Sequence, residues 1–352
     1  MPPIQSSGDV ATASATPAAP VKLTPKLMLS TTIYSTCLSP CGKYFAAGNN
    51  FGHIMLFKIS GSTIDTEGQK PVFVFQGNAS EHGAIHSLLT VEGQLVSAGF
   101  GPVRAWSWAD LVQFKVKKLW QLDVNNSCNG GCVNSIKYSV KDSLLYTCGN
   151  VENNIVSWDL KKGMKVDTYT GHLDYVHDIS LMPNGLVSAS EDGSMRVWDS
   201  RNTECSSFVE PYKRPELSRP NYGKFLSSVT SDAGGDWIVC GGGPKLALFR
   251  PNMPEFCKPL EEERSKNLVP NVVEIYNDEI IAGGQQRYLY RWHMNGDKKA
   301  VVPCDQNSVF SITSQVDKET EKRKLPLILS GADYKMSVFN NLGYQSMTFK
   351  CI

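Results

Sequence analysis

The sequence predicts an all-β protein built from one structural unit repeated seven times, and three observations support this. Short runs of strand-forming residues alternate with polar or glycine-rich turns, and helical periodicity is absent. A strand–turn–strand unit ending in an aromatic residue recurs seven times, with 40 to 52 residues between successive aromatics. One further apolar strand precedes each unit and another follows it. Four-stranded repeats of this length are typical of propeller blades, so we predict a seven-bladed β-propeller.

The clearest copy of the unit is SASEDGSMRVWDS, from Ser188 to Ser200. Its Asp-Gly pair, at 192 and 193, lies between two strand-like runs and favours a tight hairpin. The seven copies end at Phe57, Trp106, Trp158, Trp198, Phe249, Trp292 and Phe339. A lone blade cannot bury both of its faces, so neighbouring blades must cover each other. We expect Trp158, Trp198 and Trp292 to pack between blades in this way. Small residues expected on crowded inner strands are Ala98, Gly149 and Gly283.

Length and composition are those of a soluble globular protein. The chain has 352 residues, 41% of them hydrophobic and 20% charged, and its formal net charge is +1. That charge gives no overall argument for binding nucleic acid or an acidic membrane. Residues 1–25 are rich in Ala, Pro, Ser and Thr, so we expect a disordered tail there and the propeller at residues 26–352. Neither a membrane span nor a secretory signal is expected.

The sequence offers no pattern for catalysis, a cofactor or a metal. Two close cysteine pairs, Cys37/Cys41 and Cys128/Cys132, lack the second pair or histidine cluster that zinc sites need. The glycine run Gly241–Pro244 lacks the Lys-Ser/Thr of a phosphate-binding loop. The six histidines are dispersed. We therefore expect a protein that is not an enzyme and that binds no cofactor, metal ion or small-molecule ligand.

Residues 171–199, GHLDYVHDIS followed by LVSASEDGSMRVWD, resemble the WD40-repeat family. In that family a His, a strand Ser, a turn Asp and the Trp form a buried hydrogen-bonded relay. The resemblance assigns this role to His172, Ser188, Asp192 and Trp198. A buried carboxylate needs donors, which imidazole, hydroxyl and indole groups supply. A catalytic triad is the alternative for these residue types, but a relay inside a blade cannot reach a substrate.

The second blade contains part of the same set, with no Asp in its shortened turn. The residues of this partial relay are His82, Ser97 and Trp106. The other blades are more degenerate, so the resemblance implies one complete relay.

Longer stretches outside the repeat resemble the THO complex subunit 6 family. They are Ser39–Phe57, Ser97–Ala109, Gly171–His177, Tyr212–Phe225, Trp237–Phe249 and Asn341–Phe349. The resemblance covers essentially all of residues 33–349. It implies a WD40-type scaffold subunit of the nuclear THO/TREX assembly, which couples transcription to mRNA packaging and export. It also implies docking on coiled-coil THO subunits and indirect association with mRNA.

A second function stays open. Some WD40 proteins are substrate receptors of cullin-type ubiquitin ligases and bind the ligase adaptor through a Trp-Asp-x-Arg box. Trp198-Asp199-Ser200-Arg201 matches that box, with Arg201 as the adaptor contact. The alternative is that Arg201 only follows a blade-ending Trp-Asp and points into solvent.

Residues 200–224 exceed what a blade needs, and their prolines predict a stiff, extended loop. Candidate partner-binding residues on this loop are Tyr212, Arg214, Arg219 and Tyr222, because Tyr and Arg are favoured interface anchors. The alternative is a plain connection between strands. Two basic runs, Lys115–Lys118 and Lys322–Lys324, are interpreted as solvated strand or hairpin edges rather than an RNA-binding patch. A weak nuclear-import signal is an equal alternative for either run. Residues 315–324 are expected to form a mobile hairpin tip.

The last blade bears on how the ring closes. GYQSMTFK, at Gly343–Lys350, supplies an outer strand after the seventh hairpin, whereas the residues before Ile33 offer no matching strand. We therefore predict that blade seven is built wholly from residues 308–350. Closure of the ring would then depend on side-chain packing between the first and last blades.

Overall fold

The computed structural model describes residues 30–59, 69–78, 83–124, 131–149, 152–261, 263–316 and 323–351. They form seven sheets of four strands, in which strands adjacent in sequence pair antiparallel. The predicted seven-bladed, all-β propeller is confirmed. The tail predicted at residues 1–25, and with it residues 22–29, lies outside the described residues.

The first four blades occupy the amino-terminal half of the ring. Blade one contains β1 (Ile33–Leu38), β2 (Tyr44–Asn49), β3 (His53–Lys58) and β4 (Phe73–Gln76). Blade two contains β5 (Ile85–Val91), β6 (Gln94–Gly99), β7 (Val103–Ser107) and β8 (Lys118–Leu122). Blade three contains β9 (Val133–Ser139), β10 (Leu144–Gly149), β11 (Ile155–Asp159) and β12 (Met164–Tyr169). Blade four contains β13 (Val176–Met182), β14 (Gly185–Ser190), β15 (Met195–Asp199) and β16 (Cys205–Val209).

The remaining three blades complete the ring. Blade five contains β17 (Leu226–Ser231), β18 (Ile238–Gly242), β19 (Ala247–Arg250) and β20 (Met253–Pro259). Blade six contains β21 (Pro270–Tyr276), β22 (Glu279–Gly284), β23 (Gln286–His293) and β24 (Lys298–Pro303). Blade seven contains β25 (Val309–Val316), β26 (Arg323–Gly331), β27 (Lys335–Phe339) and β28 (Met347–Lys350). The ends of the tip predicted at residues 315–324 are strand instead, because Gln315 pairs with Lys324 and Val316 with Arg323. Residues 317–322 lie outside the described part, so the rest of the tip is untested.

One short helix, α1 (Trp108–Leu111), departs from the prediction that helix is absent. It follows β7 directly, and the Ser107 hydroxyl caps it by accepting from the backbone N–H of Asp110 at 3.2 Å. Four residues are too few to show a helical period, which explains why the pattern gave no signal. Three single turns of 3₁₀ helix occupy connections, at Pro211–Lys213, Pro220–Tyr222 and Glu263–Ser265.

The core lies between the blades, as the repeat predicted. Trp158 packs among blade-two residues, Trp198 among blade-three residues and Trp292 among blade-five residues. Small residues are required where β-strands crowd. A Cβ on Gly149 would lie 1.9 Å from the carbonyl oxygen of Cys132, and a Cβ on Gly283 would lie 2.7 Å from the Val309 side chain.

A set of hydrogen bonds, here called the inner ring, links the first strands of neighbouring blades. The third residue of each first strand follows a register irregularity. At five junctions its side chain accepts a backbone N–H from the next blade. The pairs, acceptor first, are Ser35–Leu88 (2.9 Å), Ser87–Ile136 (3.3 Å), Asp178–Val229 (3.2 Å), Ser228–Val273 (3.0 Å) and Ser311–Thr36 (3.2 Å). Blade six has Val272 at this position, and an alkyl side chain cannot accept.

The ring closes between blades seven and one, and all four strands of blade seven come from Val309–Lys350 as predicted. The Phe349 ring meets Phe45 and Phe57 edge-on, with centroids 5.0 and 5.6 Å apart. The prediction that side-chain packing alone closes the ring is wrong in one respect. The backbone of Gln69, before β4, accepts from the Lys350 N–H at 2.9 Å and donates to the Thr348 carbonyl at 3.4 Å. The sequence of residues 60–68, which precede this bridge, contains no pattern that predicts the bridge.

Truncation of Phe349 tests the closing contact. Phe349→Ala should lower the free energy of unfolding by about 3–5 kcal/mol, because it removes a fully buried ring between two blades. Chemical denaturation measures this. Phe208→Ala is the matched control, since Phe208 is 56% exposed on the outer strand of blade four. If both substitutions give the same small effect, the contact with Phe349 does not close the ring.

Candidate functional site

The four side chains assigned to the relay in blade four form one directed chain of hydrogen bonds. The Trp198 indole N–H donates to Ser188 Oγ at 2.8 Å, and Ser188 Oγ lies 2.7 Å from His172 Nε2. His172 Nδ1 lies 2.9 Å from Asp192 Oδ2. A carboxylate only accepts, so His172 donates from Nδ1 and accepts from the Ser188 hydroxyl at Nε2. This assignment makes the imidazole neutral.

Asp192 is the most highly coordinated member of the chain. Besides His172, its oxygens accept from the Leu173 N–H at 2.9 Å and from the Ser194 N–H and hydroxyl, both at 2.7 Å. Burial disfavours the charged carboxylate, but these hydrogen bonds outweigh it and hold the pKa of Asp192 well below its usual range. Burial lowers the pKa of His172, against the opposing effect of Asp192. The pair is therefore an ionised carboxylate beside a neutral imidazole.

The relay occupies the interior of the blade. The His172 side chain is 1% exposed and that of Asp192 is 6% exposed. A polar set enclosed in this way has no room for a substrate beside its Ser188 hydroxyl, which is 0% exposed. What the arrangement can do is tie the turn between β14 and β15 to the connection that precedes β13.

The partial relay in blade two can be placed only in part. Ser97 lies on β6 and Trp106 on β7, and both are buried. His82 lies outside the described residues, so its role stays a prediction.

The register of the blades shows which residue receives each tryptophan N–H. The acceptor stands two residues after the residue paired with the tryptophan, as Ser188 does for Trp198. In blade three, Thr147 holds this place, and its hydroxyl accepts from Trp158 at 3.0 Å. Sequence reasoning missed Thr147, although a hydroxyl eleven residues before the tryptophan was visible. In blade six Ala282 holds the place, and the buried Trp292 N–H finds no acceptor among the described residues.

The proline-rich loop differs from the expected extended form. Its prolines begin two 3₁₀ turns, at Pro211–Lys213 and Pro220–Tyr222, because a fixed φ near −65° suits the first position of a helical turn. The loop is therefore compact and lies against blades four, five and six.

Arg219 holds this loop to the propeller. Its guanidinium donates to five carbonyl oxygens at 2.8–3.1 Å, which belong to Gly242, Gly243, Pro244, Lys266 and Leu268. The Tyr222 ring stacks on the guanidinium, 4.5 Å away. All five N–H groups are engaged within the chain, so Arg219 positions the loop and has no donor left for a partner.

Two other candidate residues also contact the body of the propeller. Arg214 donates to the carbonyls of Glu255, at 2.8 Å, and Pro254 on the outer strand of blade five. Tyr212 lies over Gly193, where a Cβ would come within 2.9 Å of its ring. Gly193 follows Asp192, so the turn ordered by the relay also supports the loop. The four predicted residues are thus brought onto one surface feature, and each is partly buried there.

Arg201 lies apart from the loop residues, directly after β15. Its side chain is 81% exposed and forms an ion pair with Asp199 at 2.5 Å. Trp198 of the same four-residue box is buried, whereas Arg201 is accessible at the surface.

A cavity of about 660 Å³ opens at the centre of the ring and is lined by the first strands of the blades. Its wall is mainly hydroxyl, amide and aromatic groups, with Asp178, Glu274 and Lys137 as charged residues. Burial raises the pKa of Asp178. The described residues contain no group of three or more His, Cys, Asp or Glu side chains suited to a metal ion. Among the same residues, no helix is long and apolar enough to cross a membrane.

Removing the relay carboxylate should destabilise the protein. Asp192→Ala leaves His172 Nδ1 and the Leu173 N–H without their acceptor, which typically costs about 1–3 kcal/mol. Thermal and chemical denaturation measure the change. Asp174→Ala, in the same connection but partly exposed, is the control and should change stability little. An unaltered melting temperature for Asp192→Ala would show that the carboxylate contributes nothing to the fold.

The neutral imidazole predicts an acid-sensitive fold. His172 has a lowered pKa when folded, so below the unfolded value of 6.5 the unfolded chain binds a proton that the folded chain does not. Stability should therefore be full above pH 6.5 and fall as the pH drops from there, by up to about 1.4 kcal/mol per pH unit. Burial lowers the pKa of His53 and His86 in the same direction. Comparing His172→Gln with wild type between pH 7 and 5 isolates the contribution of His172, and parallel curves would contradict the prediction.

Comparison of the sequence with known proteins identifies the family of this chain. The model for the WD domain, G-beta repeat, matches residues 163–199, which run from the outer strand of blade three to the end of β15. THO complex subunit 6 of Homo sapiens is 33% identical over 329 residues, covering 91% of this chain and 93% of the relative. The homologue from Danio rerio is 32% identical, covering 92% and 98%. The Drosophila melanogaster subunit is 27% identical, covering 80% of each chain. The chain belongs to the THO complex subunit 6 family of WD40 propellers.

Proposed function

We propose that this protein is a non-catalytic scaffold subunit of the THO/TREX complex, which supports mRNP assembly and nuclear mRNA export through protein–protein contacts. The observation that carries the proposal is the match along nine-tenths of the chain to proteins named as THO complex subunits. Its location is the nucleus, its partners are other THO subunits, in particular the coiled-coil ones, and it associates with mRNA indirectly through them.

The site geometry supports a scaffold over an enzyme. The set of residues in blade four with the composition of a catalytic triad, His172, Ser188 and Asp192, is enclosed within the blade. Its hydrogen bonds are used between the four members of the relay and the neighbouring backbone. A rigid ring with loops on its surface suits binding, in which little conformational entropy is lost on association.

We assign partner binding to the proline-rich loop. Its position is determined by the Arg219 and Arg214 contacts, and its exposed residues include Lys213, Pro215 and Glu216. The loop is thus held in one conformation before a partner arrives, which lowers the cost of ordering it on binding.

Alanine substitution of Tyr212, Arg214, Arg219 and Tyr222 together tests the assignment. The substitution releases the loop from its carbonyl contacts, so co-purification with coiled-coil THO subunits should weaken and nuclear polyadenylated RNA should accumulate. Tyr344→Ala with Arg287→Ala, two exposed residues of blades six and seven, is the control. Far-ultraviolet circular dichroism should show the β-sheets intact in both.

A second variant distinguishes the effect of the loop's position from the effect of the charge on its surface. Lys213→Glu with Lys224→Glu changes exposed charge on the loop and leaves Arg219 in place. Full co-purification of both loop variants would show that the loop is only a connection. If the wild-type protein binds a cullin-ligase adaptor through Arg201 and does not bind THO subunits, the scaffold proposal is wrong. The hypothesis of a ligase substrate receptor then replaces it.

A further inference from the structure

A surface at the outer rim, between blades one and two, exposes apolar side chains. We call it the outer groove and define it by Val72 and Phe73 of blade one and Phe114 and Leu119 of blade two. Val72 is 41% exposed, Phe114 51% and Leu119 40%. The Phe73 and Phe114 rings meet across the groove, with centroids 5.8 Å apart.

The pairing of β7 with β8 places Leu119 beside residues that contact blade one. Arg104 pairs with Gln121, and its Nε donates to the Gln121 side chain at 3.3 Å. The same guanidinium reaches Gly77 and Asn78 of blade one at 3.3 and 3.2 Å. Ala105 pairs with Trp120 but Trp106 pairs with Lys118, so Leu119 lies in a β-bulge, next to Lys118 and opposite Trp106. The Trp106 ring meets Phe75 of blade one, with centroids 5.5 Å apart.

Phe114 occupies a backbone conformation that is unfavourable for its side chain. Its φ is +61°, in the left-handed region, one turn after α1. That position at the end of a helix usually holds glycine or asparagine, because a Cβ clashes with the adjacent carbonyl. Half of the Phe114 ring nevertheless faces solvent. A strained residue that presents an aromatic ring outward indicates a role beyond the fold.

The groove is also strongly basic. Segments 69–76 and 112–119 contain four lysines and no Asp or Glu. These lysines are Lys70, Lys115, Lys117 and Lys118, and all four are exposed. Lys115 and Lys118 reach only neutral glutamine side chains, and none of the four forms a salt bridge with another described residue. The apolar surface is therefore bordered by four lysines that form no salt bridge within the described part of the chain.

We propose that the outer groove binds an acidic amphipathic α-helix of a partner protein. Apolar side chains three and four residues apart on such a helix would contact Val72, Phe114 and Leu119, and its carboxylates would face the lysines. Addition of a strand to β8 fits less well, because lysines along an edge strand oppose edge-to-edge pairing. RNA also fits less well, because Val72 and Leu119 offer nothing to a phosphate or a base edge.

This surface goes beyond the proposed function, since it is separate from the proline-rich loop and its evidence does not use the THO relatives. In the cross-linking experiment described next, the identity of the captured protein tests the THO proposal. The chemistry of the captured segment tests the present one.

Site-specific photo-crosslinking in cells tests the groove. A benzoylphenylalanine replaces Phe114 in the full-length protein, and mass spectrometry identifies the cross-linked peptide. The matched control places the same probe at Met164, which is 61% exposed on the outer strand of blade three. We expect position 114, but not position 164, to capture one segment with net negative charge and apolar residues every three to four positions. Capture of RNA, of a basic or non-helical segment, or of nothing overturns the proposal.

Charge reversal gives a second, quantitative measure. Lys115→Glu, Lys117→Glu and Lys118→Glu together should lower the cross-link yield at position 114 by about tenfold, because complementary charge is replaced by repulsion. Lys161→Glu, Lys162→Glu and Lys165→Glu make the same charge change beside and on the outer strand of blade three and should leave the yield unchanged. Equal effects of the two triple variants would show that only net charge matters, and the groove would then have no specific role. Melting temperatures of both variants confirm that each is folded.

Discussion

The inner ring of hydrogen bonds is the interaction on which the rest of the structure depends. At five of the seven junctions, one blade presents a side-chain acceptor near the axis and the next blade donates a backbone N–H to it. A typical hydrogen bond of this kind contributes about 0.5–1.5 kcal/mol, so its main effect is on geometry. It sets the distance and the register between blades at these junctions, which lets Trp158 and Trp292 pack into the neighbouring sheet. The last of these bonds, from Thr36 to Ser311, joins the two ends of the ring.

Closure of this ring combines three kinds of contact at one junction. Thr36 and Thr313 share hydrogen bonds near the axis, at 2.7 and 2.8 Å. The Phe349 ring fills the middle of the junction, and the backbone of Gln69 continues the sheet at the rim. The junction therefore resembles four of the other six in its inner contacts and adds a backbone link at its edge. Surface features then differ from blade to blade: the proline-rich loop lies beside blade five, and a basic, apolar surface lies beside blade two.

The features that could be predicted show as patterns within or between repeats, whereas most of the others join segments that lie far apart in the chain. The period of the aromatic residues gave the seven blades, and the WD40 resemblance assigned to a relay the side chains of His172, Ser188, Asp192 and Trp198, which lie within hydrogen-bonding distance of one another. The first signal recurs at every repeat, and the second lies within a single repeat. The Gln69 bridge and the five carbonyl contacts of Arg219 join segments that only the folded ring brings together, and they leave no local pattern. Thr147 was missed because its acceptor role depends on register, and the prolines of the loop were read as extended where they begin 3₁₀ turns.

Native-state hydrogen exchange tests the central claim, that the ring is one cooperative unit held together at its inner strands. The N–H groups of Thr36, Leu88, Ile136, Val229 and Val273 donate to the inner ring. The account predicts that all five exchange only through global unfolding, with one common free energy, and that Thr36 at the closing junction is as protected as the others. Fast exchange of Thr36 while Leu88, Ile136, Val229 and Val273 stay protected would contradict it, because the ring would then open at its junction without unfolding.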